Sequence, residues 1–432
     1  MPISPAAVGA LLRPSSIALV GATDKSGWSA NAHANLRAHG FPGPVYLVSR
    51  RGGTVHGERS YPSLSAIGAR VDLAYVMVPA PAVPGVLREG ADLGIRSYVV
   101  LTAGFGDAGP EGRRMEEEIT RFAAERGLAV LGPNGNGYVN AAAGIAPFGM
   151  AVPSPLPAGP VGAVLQSGGL ASSVLTLARA RDVGLSLLVA TGNEAMISVA
   201  DVVSYLVDDP GTRVIALFLE SIADPGEFAG ACLRALRAGK PVVALKAGAS
   251  VRATAGARTH TGALAGDDRV VDAEFRRLGV VRVRSLEDLV ITAGLLADVV
   301  GGSRAGGASS GADGAGGVRG IGGRRLGVVT PSGGASGVVA DRAEREGLEL
   351  PAFAPETARG LAEVLPGFAT VRNPLDVTGF VMVDAALLAR ALSVVARDPG
   401  IDAVLLVMDP PLTEPPAGSG PAVESSAVGG PA

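Results

Sequence analysis

The chain has 432 residues, among them 62 glycines, 31 prolines and one cysteine, and its 37 basic and 40 acidic side chains give a net charge of −3. No global basic field draws in nucleic acid, and one Trp, six Tyr and ten Phe offer little stacking surface for bases. The lone Cys232 excludes an intramolecular disulfide and a cysteine-built zinc site, His33, His39, His56 and His260 lack metal-ligand spacing, and 47% hydrophobic content suffices for packed cores.

Short β-branched runs alternate with segments of helical period, the pattern of parallel α/β domains. The first block, 1–150, predicts strands at Ser16–Val20, Val45–Val48, Leu73–Val78, Ser97–Leu101 and Ala129–Leu131. Helices are expected near Ala30–Ala38, after Pro84 and around Glu111–Arg126. The Pro-rich stretch Pro153–Pro160 reads as a domain boundary. A second block, 160–300, predicts strands at Val161–Leu165, Ser186–Ala190, Val214–Leu219, Val242–Leu245 and near Val280–Val283. Residues 301–324, mostly Gly, Ala, Ser and Arg, read as a flexible linker. A third block, 325–409, predicts only Leu326–Thr330, Glu349–Ala352 and Ala403–Met408, so this domain is expected to be incomplete, and 410–432 to be a disordered tail. No apolar run reaches membrane-span length, because Leu286–Val300 contains Glu287, Asp288 and Asp298, and no secretory signal opens the chain. A cytoplasmic protein with no membrane or nucleic-acid partner is expected.

An internal repeat links the second and third blocks. Residues Gly162–Val174 align without gaps with Gly327–Val339, so each block opens with a buried strand, a Ser-Gly-Gly turn and a helix. At Ser167-Gly168-Gly169 and Ser332-Gly333-Gly334 the glycines allow close approach, and the helix start presents unpaired N–H groups that suit a phosphate. The plainer alternative is a tight turn whose serine caps its helix. The first βα turn, Val20 to Gly27, has Gly21 and Gly27 without the G-x-G-x-x-G spacing of a dinucleotide site. After the second strand stand Arg50 and Arg51, which fit the phosphorylated ribose of NADP or coenzyme A, or else are solvated loop residues. Glu220 and Lys246 follow apolar strands, where open α/β sheets put their sites and where polar residues must in any case reappear. His260 lies in a loop of small residues, as a base, ligand or nucleophile or simply exposed, and the other three histidines receive no role.

Several stretches together resemble the ADP-forming (NDP-forming) acyl-CoA synthetases, relatives of the succinyl-CoA synthetase alpha chain. They include Ile17–Thr23, Thr102–Phe105, Leu131–Gly137, Gln166–Gly169, Thr191-Gly-Asn-Glu194, Leu219-Glu-Ser-Ile222, Lys246–Gly248, Thr259–Gly266 and Asn373–Gly379. The resemblance implies a Rossmann-type CoA-binding domain followed by flavodoxin-like parallel α/β ligase domains. It implies that His260 carries phosphate as phosphohistidine, with Glu220 orienting its imidazole, between helix termini at Ser167-Gly168-Gly169 and Ser332-Gly333-Gly334. Coenzyme A is expected over Gly21, Ala22, Thr23, Lys25 and Ser26, near Arg50, Arg51 and Pro79, with its thioester end at Gly132, Pro133 and Asn134. The chain departs from the family in having Gly-Pro-Asn-Gly-Asn-Gly after Leu131, where many relatives have cysteine and leucine, and in lacking the expected glutamate near Phe105-Gly-Asp107. Nothing in it resembles an ATP-grasp module.

A ligase subunit or fragment is therefore expected, acting on a small carboxylic acid or its acyl-CoA within an oligomer. ATP or ADP and magnesium are expected only through an ATP-grasp, beta-type partner. The alternative is a non-catalytic CoA- or acyl-CoA-binding protein that regulates or scaffolds.

Overall fold

A computed structural model describes residues 3–248, 268–305, 323–331, 333–365, 370–377 and 385–408. His260, Ser332, the expected tail and most of the expected linker lie outside the described residues. The chain divides into two compact units at Val318.

The first unit opens with helix α1 (Pro5–Leu12), capped by Ser4, and holds two sheets. Its first sheet comprises β1 (Ile17–Val20), β2 (Val45–Val48), β3 (Gly53–Val55), β4 (Glu58–Tyr61), β5 (Leu73–Val76), β6 (Ser97–Val100) and β7 (Ala129–Leu131), in the order β3-β4-β2-β1-β5-β6-β7. Strands β1, β5, β6 and β7 are buried throughout, as expected of a parallel sheet covered on both faces. The covering helices include α2 (Gly27–Ala38), α3 (Val83–Asp92) and α4 (Pro110–Arg126). The five expected strands are present, and β3 and β4 extend them as a hairpin. Its two turn residues, His56 and Gly57, both have positive φ (50° and 77°), the type I′ geometry that matches strand twist.

The second sheet comprises β8 (Gly137–Val139), β9 (Ala158–Leu165), β10 (Leu185–Ala190), β11 (Val214–Leu219), β12 (Val242–Lys246) and β13 (Val281–Val283), in the order β13-β12-β11-β9-β10-β8. All are parallel except β8, which runs antiparallel to β10. Strand β8 falls within the span expected for the first domain yet pairs in this sheet, and β9 begins inside the Pro-rich stretch expected as a boundary. Helices α5 (Gly168–Ala180), α6 (Val199–Asp208) and α7 (Pro225–Arg237) connect the strands.

One apolar core runs through both sheets, including Leu11 and Leu12 of α1, Ile17, Leu19 and Tyr75 of the first and Val164, Val189 and Leu217 of the second. Polar pins reinforce it. Asp201 closes a capping box with Ser198 at the start of α6 and also accepts the Ile3 N–H at 3.0 Å. The Tyr138 hydroxyl of β8 donates to the Leu11 carbonyl at 2.7 Å.

The second unit holds β14 (Leu326–Thr330), β15 (Leu375–Asp376) and β16 (Ala403–Leu406), parallel and ordered β15-β14-β16, around a core that includes Val329, Leu361 and Leu375. The expected strand Glu349–Ala352 is not formed and leaves one bridge, Arg325 to Glu349. Pro351 has no N–H for a ladder, and Leu375–Asp376 takes the place beside β14 instead. Asn373 fixes that arrangement, accepting from Val328 N–H at 2.9 Å and donating to the carbonyls of Leu326 (2.7 Å) and Pro351 (2.9 Å).

Candidate active site

In each sheet of the first unit the strand order reverses at one strand, β1 in the first and β9 in the second, and the carboxyl ends of such strands are where open α/β sheets bind ligands. The expected coenzyme residues follow β1 and its neighbours. Gly21 has φ +91° and lies so near Met77 and Val78 that a Cβ would fall 3.1 Å from their backbone. Ser26 caps α2, whose free N–H groups face the turn, and Ala22 is buried while Lys25 is exposed. Arg50 and Arg51 are exposed and have no carboxylate partner among the described residues, and Pro79 follows β5 beside β1. A glycine no side chain could replace without strain, a helix start and unpaired cations fit a phosphate-bearing coenzyme.

Two histidines without an expected role brace this turn. The His56 ring accepts or donates to Ser29 Oγ at 2.7 Å and lies 3.1 Å from Asp24 Oδ1, while its backbone N–H donates to the same Asp24 oxygen at 2.7 Å. His33 stacks on His56 with ring centroids 5.3 Å apart and reaches Glu58 at 3.1 Å. Nothing in the spacing of these residues reveals the cluster, because the hairpin and α2 bring it together.

The second switch point opens on a cavity of about 730 Å³. Ser167 caps α5, accepting from Leu170 N–H at 3.4 Å, and Gly168 and Gly169 form the helix's first turn at the cavity wall. Glu220, following β11, is half-buried at the wall, and its carboxylate has no partner among the described residues. Its backbone is held from both sides. Gln166 Oε1 accepts the Glu220 and Ser221 N–H groups at 2.5 and 2.9 Å, and the Lys246 ammonium donates to the Glu220 carbonyl at 3.0 Å. Lys246 itself does not line the cavity, and desolvation holds its ammonium below the usual lysine range.

The loop after β7 closes the opposite wall. Gly132 has φ +101°, Asn134 N–H bonds the Thr102 carbonyl at 3.0 Å, and the Pro133 carbonyl accepts Asn193 N–H at 2.9 Å. Asn193 ties the two sheets' loops together: its Oδ1 accepts from Asn134 at 3.3 Å, and its Nδ2 donates to Asp107 at 3.1 Å and Glu116 at 2.9 Å. Glu116 of α4 thus shares the Asn193 amide with Asp107, and it also accepts Gly106 N–H at 3.1 Å. Glu194, next to Asn193, is a non-glycine residue at φ +58°, and burial pushes its carboxyl up to about 7. Asn193, Glu194, Glu116 and Gln166 were given no role from sequence; their position just after strand ends was the available signal for the first two and the last. Four carboxyl side chains, Asp107, Glu116, Glu194 and Glu220, line the cavity together with no lysine or arginine among the described residues. In the second unit a helix likewise begins at Gly333, directly after β14, and includes Gly334. No described helix is long and apolar enough to cross a membrane.

Comparison with known proteins adds the following. Residues 15–141 match the family described as CoA binding domain, and residues 158–296 the family described as succinyl-CoA ligase like flavodoxin domain. The chain is 32% identical to acetate–CoA ligase (ADP-forming) I subunit alpha of Pyrococcus furiosus, with 86% of this chain and 76% of that one covered. It is 33% identical to a trans-feruloyl-CoA synthase from an unknown prokaryotic organism, with 93% of this chain and 55% of the relative covered, so it spans about half that relative's length. A dinucleotide-forming acetyl-coenzyme A synthetase 1 of Ca. Korarchaeum cryptofilum, solved with phosphate and ADP, matches with TM-score 0.78 and 29% identity over 92% of this chain and 81% of that one.

Proposed function

Because the chain belongs to the ADP-forming acyl-CoA synthetase family, we propose that it is the alpha-type part of an acid–CoA ligase and performs the coenzyme A and phosphohistidine half-reactions. The observation that carries this reading is the cavity in which the α5 N-terminus, the Glu220 carboxylate, without a partner among the described residues, and the loop after β7 meet.

In the first half-reaction a phosphate oxygen attacks the thioester carbonyl. The carbon–oxygen bond to phosphate forms, the carbon–sulfur bond breaks, and the proton of hydrogen phosphate passes to the coenzyme A sulfur. In the second, a neutral nitrogen of His260 attacks phosphorus and the carboxylic acid leaves as its anion. The N–H groups of Gly168 and Gly169 are suited to hold the phosphate oxygens as charge shifts, and Ser167 keeps that helix start in place. Glu220 is assigned to orient the His260 imidazole, and the Ser332-Gly333-Gly334 turn to bind phosphate as well. Coenzyme A is assigned to Gly21, Ala22, Thr23, Lys25, Ser26, Arg50, Arg51 and Pro79, with its thioester end at Gly132, Pro133 and Asn134. An ATP-grasp, beta-type partner is assigned the nucleotide and magnesium, a reading supported by the relative named as a subunit alpha.

The purified chain, incubated with an acyl-CoA and radiolabelled phosphate, is expected to acquire acid-labile, base-stable label that is absent from His260→Ala, with coenzyme A affinity unchanged. Coenzyme A binding without label, even with a related ATP-grasp subunit added, favours the binding-protein alternative. The acid-lined wall also sets the acyl class. A second carboxylate about 8 Å from one like charge, at an effective dielectric of about 20, costs about 2 kcal/mol, roughly thirtyfold. Acetyl-CoA is accordingly expected to outperform succinyl-CoA by at least tenfold in kcat/KM, and equal use of the two removes the electrostatic argument.

A further inference from the structure

We propose that Glu194 is a positioning residue for Glu220, acting through the side chain of Gln166 and effective while its own carboxyl is ionised. This rests on the ligase reading only for what Glu220 does. The connection itself runs through side chains of the first unit that line the same cavities.

The Gln166 amide has one permitted orientation. Its Oε1 accepts two backbone N–H groups, those of Glu220 and Ser221, so its Nε2 must donate, and it does so to the Ser221 carbonyl at 3.0 Å, close enough to the Glu194 carboxyl for the amide to favour its charged form. The Glu194 carboxyl has two further partners. The Val199 N–H can only donate to it, whereas the Thr191 hydroxyl, at 2.8 Å, can donate or accept. Thr191 also lies 3.4 Å from the Leu165 carbonyl. When Glu194 is ionised, Thr191 gives it a hydrogen. When Glu194 is protonated, it donates to Thr191, whose hydrogen turns to Leu165. Both protonation states are thus fully bonded without moving the backbone.

The two states differ in how firmly they hold Gln166. A carboxylate takes a charge-assisted bond, about twice as strong as a neutral one, so ionised Glu194 pins the amide that clamps Glu220 and Ser221. Among the described residues, the charged groups that line the same cavities as Glu194 are all acidic: Asp201 of α6, Glu220 after β11, Asp224 and Glu227 at the start of α7, and Asp107 and Glu116. Burial, with the charge of Asp201 adding to it, opposes ionisation and brings the proton's release close to neutrality.

The test follows the backbone amide resonances of Val199, Glu220 and Ser221 between about pH 5.5 and 8.5 in the full chain carrying His260→Ala, so that the histidine cannot contribute. All three are expected to shift with one midpoint near neutral pH, and none to do so when Glu194→Gln is added. Adding Gln166→Met instead leaves the Val199 shift and abolishes the other two. Glu220 and Ser221 amides that stay still in the starting protein, or that still titrate with Gln at 194 in a chain whose circular dichroism is unaltered, overturn the proposal. In the chain with His260 intact, histidine phosphorylation is expected to be about tenfold lower in Glu194→Gln than in the wild-type chain at pH 8 and about equal in the two at pH 6, a comparison at fixed pH that cancels the titration of the histidine itself. If no label ever reaches His260 while the amides behave as expected, the ligase reading fails and the positioning of Glu220 stands.

Discussion

Glu194 sits where a carboxyl is least comfortable, half-buried and in a left-handed backbone conformation. Its effect on stability has a definite sign. The folded carboxyl titrates at about 7 against 4.5 for an unperturbed glutamate. Between those values the folded chain keeps a proton that the unfolded chain has lost, so stability falls as pH rises through that window and stays low above it. At about 1.4 kcal/mol for each pH unit of displacement, the full loss is on the order of 3 kcal/mol. A glutamine reproduces the neutral form, so Glu194→Gln is expected to resist urea better than the wild-type chain at pH 8 by about that amount and to match it at pH 5. Equal stability at both pH values means the carboxyl ionises without cost. None of this is legible from Thr191-Gly-Asn-Glu194 as a string. The sequence places Glu194 after a strand, but its weight comes from Gln166, Thr191 and Val199, which converge on it only in the folded sheet.

Among the elements, the β3–β4 hairpin and the βα turn after β1 depend on each other through His56. A type I′ turn asks for residues tolerant of positive φ, and asparagine meets that requirement better than histidine. His56→Asn is therefore expected to keep the hairpin while removing the ring's contacts with Ser29 and Asp24. Coenzyme A should bind about tenfold more weakly, a loss of about 1.4 kcal/mol, with little change in the melting temperature; calorimetric titration decides it, and unchanged affinity shows that the turn needs no brace. Elements whose strands are continuous apolar runs, buried throughout, such as β5 and β11, could be read directly from sequence. Three-residue strands such as β3 and β8 carry too few side chains to display a period. The run Glu349–Ala352 reads as a strand because it follows a helix in the place where a βα series expects one, and it holds a proline that cannot join a ladder.

At the scale of the whole molecule, each unit has its own buried core, one built around the two larger sheets and the other around three strands. Scanning calorimetry is expected to resolve two unfolding transitions, the smaller belonging to the second unit, and a single transition with equal calorimetric and van't Hoff enthalpies argues against independent folding. Within the first unit no such separation exists. The Pro-rich stretch suggested a seam, but composition records where a chain turns and not which edge a later strand completes. Strand β8 leaves the first sheet's span to finish the second, with Tyr138 anchored on α1. For chimeras that exchange coenzyme-binding halves between homologues, this makes the obvious splice point near Pro153 the wrong one. A donor half cut there brings a foreign strand into the recipient's sheet, against a β10 that evolved beside another partner. A crossover before Gly137 leaves that pairing native, at the cost of having to match the Asn134–Asn193 contact across the splice.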